Sequence, residues 1–112
     1  MAAYHMKPGY KIPVVELSGR FTIEHRDDFQ QFLKDNIDFA GEGTAIDCAE
    51  LAYIDSSGIG ELLRFKMAAA KSNHTIYIAG LSDAIMKVFK MSQLNHVFSI
   101  LSSSELEQKF KA

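Results

Sequence analysis

The chain has a single cysteine, Cys48, among its 112 residues, so no internal disulfide is available to it. A domain of this length buries roughly 65% of its unfolded surface, so a core can hold the fold without a covalent tie. Met1 to Tyr10 also lacks the apolar centre of a signal peptide, and together these features predict a reducing cytoplasm. Cys48 falls within an apolar strand pattern and reads as a buried, inert thiol rather than a nucleophile. An excess of charge of either sign is lacking as well, with 12 Lys and Arg against 14 Asp and Glu. The formal net charge is -2, which offers no general attraction to nucleic acid or to an anionic membrane. No apolar run approaches the ~20 residues of a membrane span, so no membrane insertion is expected. There is no repeat, low-complexity tract or linker-like shift in composition, which predicts one domain over residues 1–112. With 47% hydrophobic and 23% charged residues, the chain reads as globular.

Several chemistries lack their signatures. The histidines His5, His25, His74 and His96 are scattered, with no His, Cys or carboxylate partner at metal-ligand spacing. His25 lies among Glu24, Asp27 and Asp28, which reads as the solvated start of a helix. No GxSxG elbow occurs, and a Ser/His/Asp triad is defined in space, not along a sequence. Gly58-Ile59-Gly60 supplies two glycines of a dinucleotide loop, but Leu63 stands where the third belongs, and the Gly-Lys-Ser/Thr of a P-loop is missing. No cofactor or metal is expected.

What is present is an alternation of strand-like and helix-like segments. Ala3 to Lys7 and Tyr10 to Leu17 read as two strands around the Pro8-Gly9 turn signal. Pro13 places the second at a sheet edge or marks its start, because proline cannot donate to a ladder. Phe29, Phe32, Leu33 and Ile37 give a helix over about Glu24 to Asn36 its apolar face. Thr44 to Cys48 is a short strand, and AYID then leads into a second helix from about Ser57 to Lys71. In that helix Ile59, Leu62, Leu63, Met67 and Ala70 form the inward stripe, with Glu61, Arg64 and Lys71 off it. His74 to Ala79 is a strand apolar enough to be covered on both faces, as in a parallel sheet. A third helix starts at Ser82 or Asp83, with Ile85, Val88 and Phe89 inward. Val97 to Leu101 is a last strand, and Ser102 with Glu105 has the spacing of a capping box for a final helix carrying Leu106 and Phe110. Strands alternating with helices imply an α/β fold with crossover connections.

One stretch stands out: AYIDSSGIGE, Ala52 to Glu61. A strand that ends and turns at once into a helix puts its turn at the carboxyl edge of the sheet, where ligands and partners of open α/β sheets gather. The first N–H groups of that helix lack internal partners and favour negative charge. Ser56 or Ser57 is expected to cap them. A phosphate on either hydroxyl is compatible with the helix end and adds about -1.5 to -2 charges beside Asp55. The local pattern leaves both readings open, a plain cap or a modifiable switch.

From about Val14 to Leu101, most of the chain, the sequence resembles the STAS domain of bacterial anti-sigma-factor antagonists. The resemblance rests on Asp55-Ser56-Ser57-Gly58-Ile59-Gly60, on Leu81-Ser82, on Leu94 with Val97-Phe98, and on VVELSGRFT near the front. It implies a STAS-type fold: a mixed, mostly parallel sheet of four to five strands with an N-terminal hairpin strand and about four helices. It implies partner switching: the unphosphorylated protein binds a serine kinase that is also an anti-sigma factor, of histidine-kinase-like ATPase type. Phosphorylation of the serine directly after the aspartate ends that binding, and a cognate phosphatase restores it. That serine maps onto Ser56, with Asp55, Ser57, Gly58 and Gly60 as the flanking switch and contact positions. On this reading the chain is a substrate and binding module, not an enzyme, and its output is transcription or another programme such as biofilm or polysaccharide production. The alternative is an unphosphorylated STAS adaptor subunit of a lipid transporter or sensory assembly. After Ser18-Gly19-Arg20 the family often has Leu-Asp, whereas this chain has Phe21-Thr22-Ile23-Glu24-His25, in a loop near the family's switch surface.

Overall fold

The computed structural model describes residues 3–22 and 26–112. β1 (Ala3–Met6) pairs antiparallel with β2 (Val14–Phe21), as the Pro8-Gly9 signal implies. Then follow α1 (Arg26–Asn36), β3 (Gly43–Asp47), β4 (Leu51–Ile54), α2 (Ser56–Ala70), β5 (Thr75–Ala79), α3 (Asp83–Met91), β6 (Ser99–Leu101) and α4 (Ser103–Phe110). The strand order is β1-β2-β3-β5-β6, and every pair except the hairpin is parallel. This is the expected mixed sheet with an antiparallel edge strand.

Two expectations about the strands change. The sheet has six strands, not four to five, because Leu51 to Ile54 pairs with β2 as a strand in its own right. Its register on β2 runs from Gly19↔Leu51 to Phe21↔Ile54, following Glu16↔Asp47 between β2 and β3 with one extra residue. The second strand also begins and ends later than its apolar run suggests. Pro13 precedes it, and β2 is internal, paired with β1 on one side and with β3 and β4 besides. The edge option for Pro13 therefore fails and the strand-start option holds: lacking an N–H, Pro13 only accepts, from the Ala45 N–H at 3.0 Å. At its other end β2 continues through Gly19, whose φ is +76°, and the register shift before Arg20 leaves Ala52 of β4 as the extra residue.

The period of two in the strands sorts the core into two layers. Val15, Leu17, Ile46, Ile76 and Ile78 face α1, α2 and α3, where Phe29, Leu33, Leu62, Phe65, Ile85 and Phe89 meet them. Val14, Ala45 and Ala79 face the other way and are covered by Leu106 and Phe110 of α4. Each fully buried phenylalanine contributes about 1.5–3 kcal/mol. Phe29 packs edge-on against Phe21, with ring centroids 4.8 Å apart, and so fixes α1 on the end of β2. The expected caps of the last two helices form: Ser82 accepts from the Ile85 N–H, and Ser102 and Glu105 make a reciprocal capping box. In α3, Ile85 and Phe89 are buried as expected, whereas Val88 is 37% exposed.

Buried polar groups have partners. His74 is buried, and its ring nitrogens lie 2.7 Å from the Gly41 carbonyl and 2.7 Å from the Thr44 hydroxyl. Because the carbonyl only accepts, Nδ1 donates to Gly41, which ties the α1–β3 loop to the start of β5. Asp47 is held by the Lys7 ammonium at 2.9 Å. No helix among the described residues is long and apolar enough to cross a membrane.

Cys48 follows β3 and is 1% exposed, and burial pushes its thiol well above the usual range. A thiol reagent at pH 8 should label the native protein on the order of 100-fold more slowly than the denatured chain. Equal rates, read by absorbance on mixing, would show an open thiol.

Candidate switch site at the head of the second helix

The site begins where β4 ends. Ile54 is paired with Phe21, and Asp55 leaves the strand in an extended conformation, with φ -108° and ψ -177°. From that position its carboxylate reaches forward and accepts the Gly58 N–H at 2.9 Å, while its carbonyl accepts the Ile59 N–H at 3.0 Å. Asp55 is therefore the N-cap of α2, and the expectation that Ser56 or Ser57 caps the helix is corrected. The reason is positional. The residue just outside the helix reaches the N–H three residues on, whereas serines already inside the first turn do not.

Relieved of capping, the serines are placed differently. Ser56 is exposed and Ser57 half-buried, and neither hydroxyl has a hydrogen-bond partner among the described residues. The first turn of α2 contains no acidic residue besides its aspartate cap. A phosphate on Ser56 would meet the favourable end of the helix dipole without displacing the bond that starts the helix.

The two glycines that follow the serines are not equivalent. A Cβ on Gly58 would lie 2.4 Å from the Phe21 carbonyl oxygen and 2.9 Å from Ile54, so only glycine lets α2 start this close to β2. A Cβ on Gly60 would meet nothing within 4 Å. With Gly58 against the sheet, the residues at helical spacing from it, Leu62, Phe65 and Ala69, form the buried face.

The stripe read from the sequence is accordingly turned. Ile59 and Leu62 do face inward and Leu63 is half-buried, but Ala70 is exposed and Met67 is 69% exposed. Glu61, placed off the stripe, is only 4% exposed, and the Gln30 amide donates to its carboxylate at 2.9 Å. That bond ties α2 to α1. Beside the site, Arg20 and Tyr53 are register partners on β2 and β4, and the guanidinium lies 4.2 Å from the ring centroid. This pair was invisible in the sequence, because only the shifted register brings the two residues together. Of the loop expected near the switch, Phe21 is buried at the end of β2, Thr22 is half-buried, and Ile23, Glu24 and His25 lie outside the described residues.

Comparison with known proteins gives this geometry a context. The family model described as "Mlab, STAS domain" matches residues 11–102. A STAS-domain containing protein of Pseudomonas aeruginosa (strain UCBPP-PA14) is 26% identical over 86 residues, 77% of this chain and 84% of the relative. An anti-sigma factor antagonist from Mycobacterium paratuberculosis superposes with a TM-score of 0.77 at 14% identity, covering 90% of this chain and 86% of that one. The Bacillus cell fate determinant SpoIIAA, solved in a phosphorylated form, gives 0.60 at 19% identity, covering 95% of this chain and 96% of that one. At these identities the superpositions speak to the fold.

The cap assignment has a direct test in chemical denaturation. Asp55→Ala should cost about 1 kcal/mol, whereas Ser56→Ala should stay within about 0.5 kcal/mol of the parent. A larger loss from the serine variant would return the cap to Ser56.

Proposed function

The chain belongs to the STAS domain family, and we propose that it acts as a partner-switching regulator of the anti-sigma-factor antagonist kind, controlled by phosphate on Ser56. The observation that carries this reading is the division of labour at the head of α2. Asp55 holds the cap, which leaves the exposed Ser56 hydroxyl without a structural task. A residue with no part in stability can be modified and restored without unfolding the domain.

The switch works through charge at a contact surface. Unmodified Ser56 lets a partner pack over the turn and the start of α2. A phosphate adds about -1.5 to -2 charges beside Asp55, and covering it requires removing that charge from water. An uncompensated charge in an interface costs several kcal/mol, and each ~1.4 kcal/mol is a factor of ten in affinity. The helix end offsets the charge only in part, at about 0.3–1 kcal/mol. The balance therefore leaves the domain folded and the complex weakened. The half-buried Ser57 ranks second as an acceptor, since a kinase must reach the hydroxyl. Gly58 contributes by setting the turn, and Gly60 by leaving the next helical turn bare.

In this reading the whole chain, residues 1–112, is one cytoplasmic STAS domain that is a substrate and binding module rather than an enzyme, and it needs no cofactor. Its partners are a serine kinase of the histidine-kinase-like ATPase type, which doubles as the anti-sigma factor or a related regulator, and a cognate serine phosphatase. The output is transcription or another programme such as biofilm or polysaccharide production. That a protein of the same fold has been solved in a phosphorylated form lends support.

Phosphosite mapping by mass spectrometry on protein isolated from its host should find phosphate on Ser56, and a Ser56→Ala strain should lose it. Binding to the kinase partner should fall tenfold or more in Ser56→Asp and be retained in Ser56→Ala. Equal binding by both variants, or no phosphate under any growth condition, would overturn the switch and favour an adaptor role in a transporter or sensory assembly.

A further inference from the structure

We propose that the cleft between α1 and α2 binds a small hydrophobic carboxylate, an alkyl or aryl acid of about ten non-hydrogen atoms. The site lies apart from the Ser56 turn and goes beyond the switching role. α1 supplies Gln30, Leu33 and Lys34, the connection to β3 supplies Ile37 and Phe39, and α2 supplies Phe65 and Ala68, around a cavity of about 280 Å³. Three segments of the chain therefore enclose it. Along α2, Phe65 and Ala68 lie roughly 13 and 18 Å beyond Ser56 at 1.5 Å per residue.

The cleft follows from how the two helices meet. The Gln30 amide donates to the carboxylate of Glu61 at 2.9 Å and to its backbone carbonyl at 3.3 Å, which ties α1 to α2 at one end. Beyond that tie α1 stops at Asn36 while α2 continues to Ala70. There α2 presents only the methyl group of Ala68 to the cavity. The far wall is Phe39, whose ring centroid lies 5.8 Å from that of Phe65 and 5.2 Å from that of His74. His74 is buried and donates to the Gly41 carbonyl at 2.7 Å, so the connection that carries Ile37 and Phe39 is pinned at its far end. The Ile37 N–H continues the helical pattern onto the Leu33 carbonyl at 2.8 Å and pins the near end. The walls are thus preformed, as ligand sites usually are.

Size and charge select the occupant. An apolar cavity of ~150 Å³ holds a benzene molecule, and this one is about twice as large, which sets the limit at roughly ten to twelve atoms. Leu33, Ile37, Phe39, Phe65 and Ala68 surround an apolar body. Of the two polar residues, Gln30 has its amide N–H committed to Glu61. The Lys34 ammonium has no hydrogen bond or ion pair among the described residues, and no acidic side chain lines the cavity. The neighbouring carboxylates are engaged elsewhere: Asp35 accepts from the Gln31 amide and Asp38 from the Ala40 N–H, both at 2.9 Å. Glu61 lies behind Gln30 and is 4% exposed. A ligand carboxylate at Lys34 makes a charge-assisted bond, while its body lies between Phe39 and Phe65. An amine in the same place would meet a like charge and no carboxylate.

The test is a titration of the full chain with octanoate, followed residue by residue in amide NMR spectra. Saturable binding with a Kd below about 1 mM is expected, with shifts centred on Leu33, Phe39 and Phe65. Octylamine, of the same length and opposite charge, should bind at least tenfold more weakly. Lys34→Glu should reverse that order. Ala68→Phe fills the cleft from an exposed position, so it should abolish octanoate binding and leave the melting temperature within a few degrees of the parent. Met67→Gln removes an exposed apolar side chain outside the cleft and should bind octanoate as the parent does. A lowered melting temperature in Ala68→Phe leaves the decision to Lys34→Glu, which alters only an exposed side chain. The proposal is overturned by the absence of saturable binding, by shifts centred on Met67, or by equal affinity for octylamine. Octanoate binding that survives unchanged in Lys34→Glu, or in a folded Ala68→Phe, overturns it equally.

Discussion

The approach of Gly58 to the Phe21 carbonyl governs what the rest of α2 presents. A side chain at position 58 would collide with backbone at 2.4 Å, so the start of the helix lies on the end of β2 only because glycine is there. A helix repeats every 3.6 residues, so one fixed contact sets the orientation of all the others. With Gly58 inward, Leu62, Phe65 and Ala69 follow it into the core, and Ser56, Gly60 and Met67 are turned to the outside. The same contact rests on β2 extending as far as Phe21, past the positive φ of Gly19 and the register shift beside it. Two glycines far apart in sequence thus determine where one serine hydroxyl points.

Asp55 completes the arrangement. Its carboxylate anchors the first turn, and it sits between a strand paired to β2 and a helix packed against the sheet. Ser56 is therefore held on rigid elements while its hydroxyl makes no hydrogen bond among the described residues. That separation suits the proposed switch. The energy that a modification adds or removes appears at the surface, in what can bind there, and is not spent on the fold. The tie from Gln30 to Glu61 has a comparable effect one turn further down, since it buries the only carboxylate of the helix and leaves the exposed charges of α2 basic.

The alternation of strands and helices was readable because its signals are local. Pro8-Gly9, the Ser82 cap, the Ser102–Glu105 capping box and the apolar run at Thr75 to Ala79 each act within a few residues, and each appears in the structure where its pattern puts it. The misreadings have a common origin in long-range pairing. Leu51 to Ile54 is a strand because β2 offers it a partner, and Pro13 is internal because β1 and β3 flank the strand it introduces. Hydropathy turns Met67 and Ala70 inward and Glu61 outward, but the roll of α2 is set by a contact with a residue 37 positions earlier in the chain. Serine is a favoured cap residue, but Asp55 takes the cap because it stands at the one position from which a side chain reaches the third N–H.

The sequence by itself determined the α/β class, the turn-and-helix motif at Asp55 to Gly60, and the presence of paired hydroxyls at the carboxyl edge of the sheet. These follow from periodicity and from the short reach of caps and turns. Tertiary structure alone decided which of the hydroxyls is exposed, that neither is a cap, and that a methionine and a bare glycine share the serine's face. Those outcomes depend on how closely α2 can approach β2, a distance set by atoms that meet only after the chain has folded.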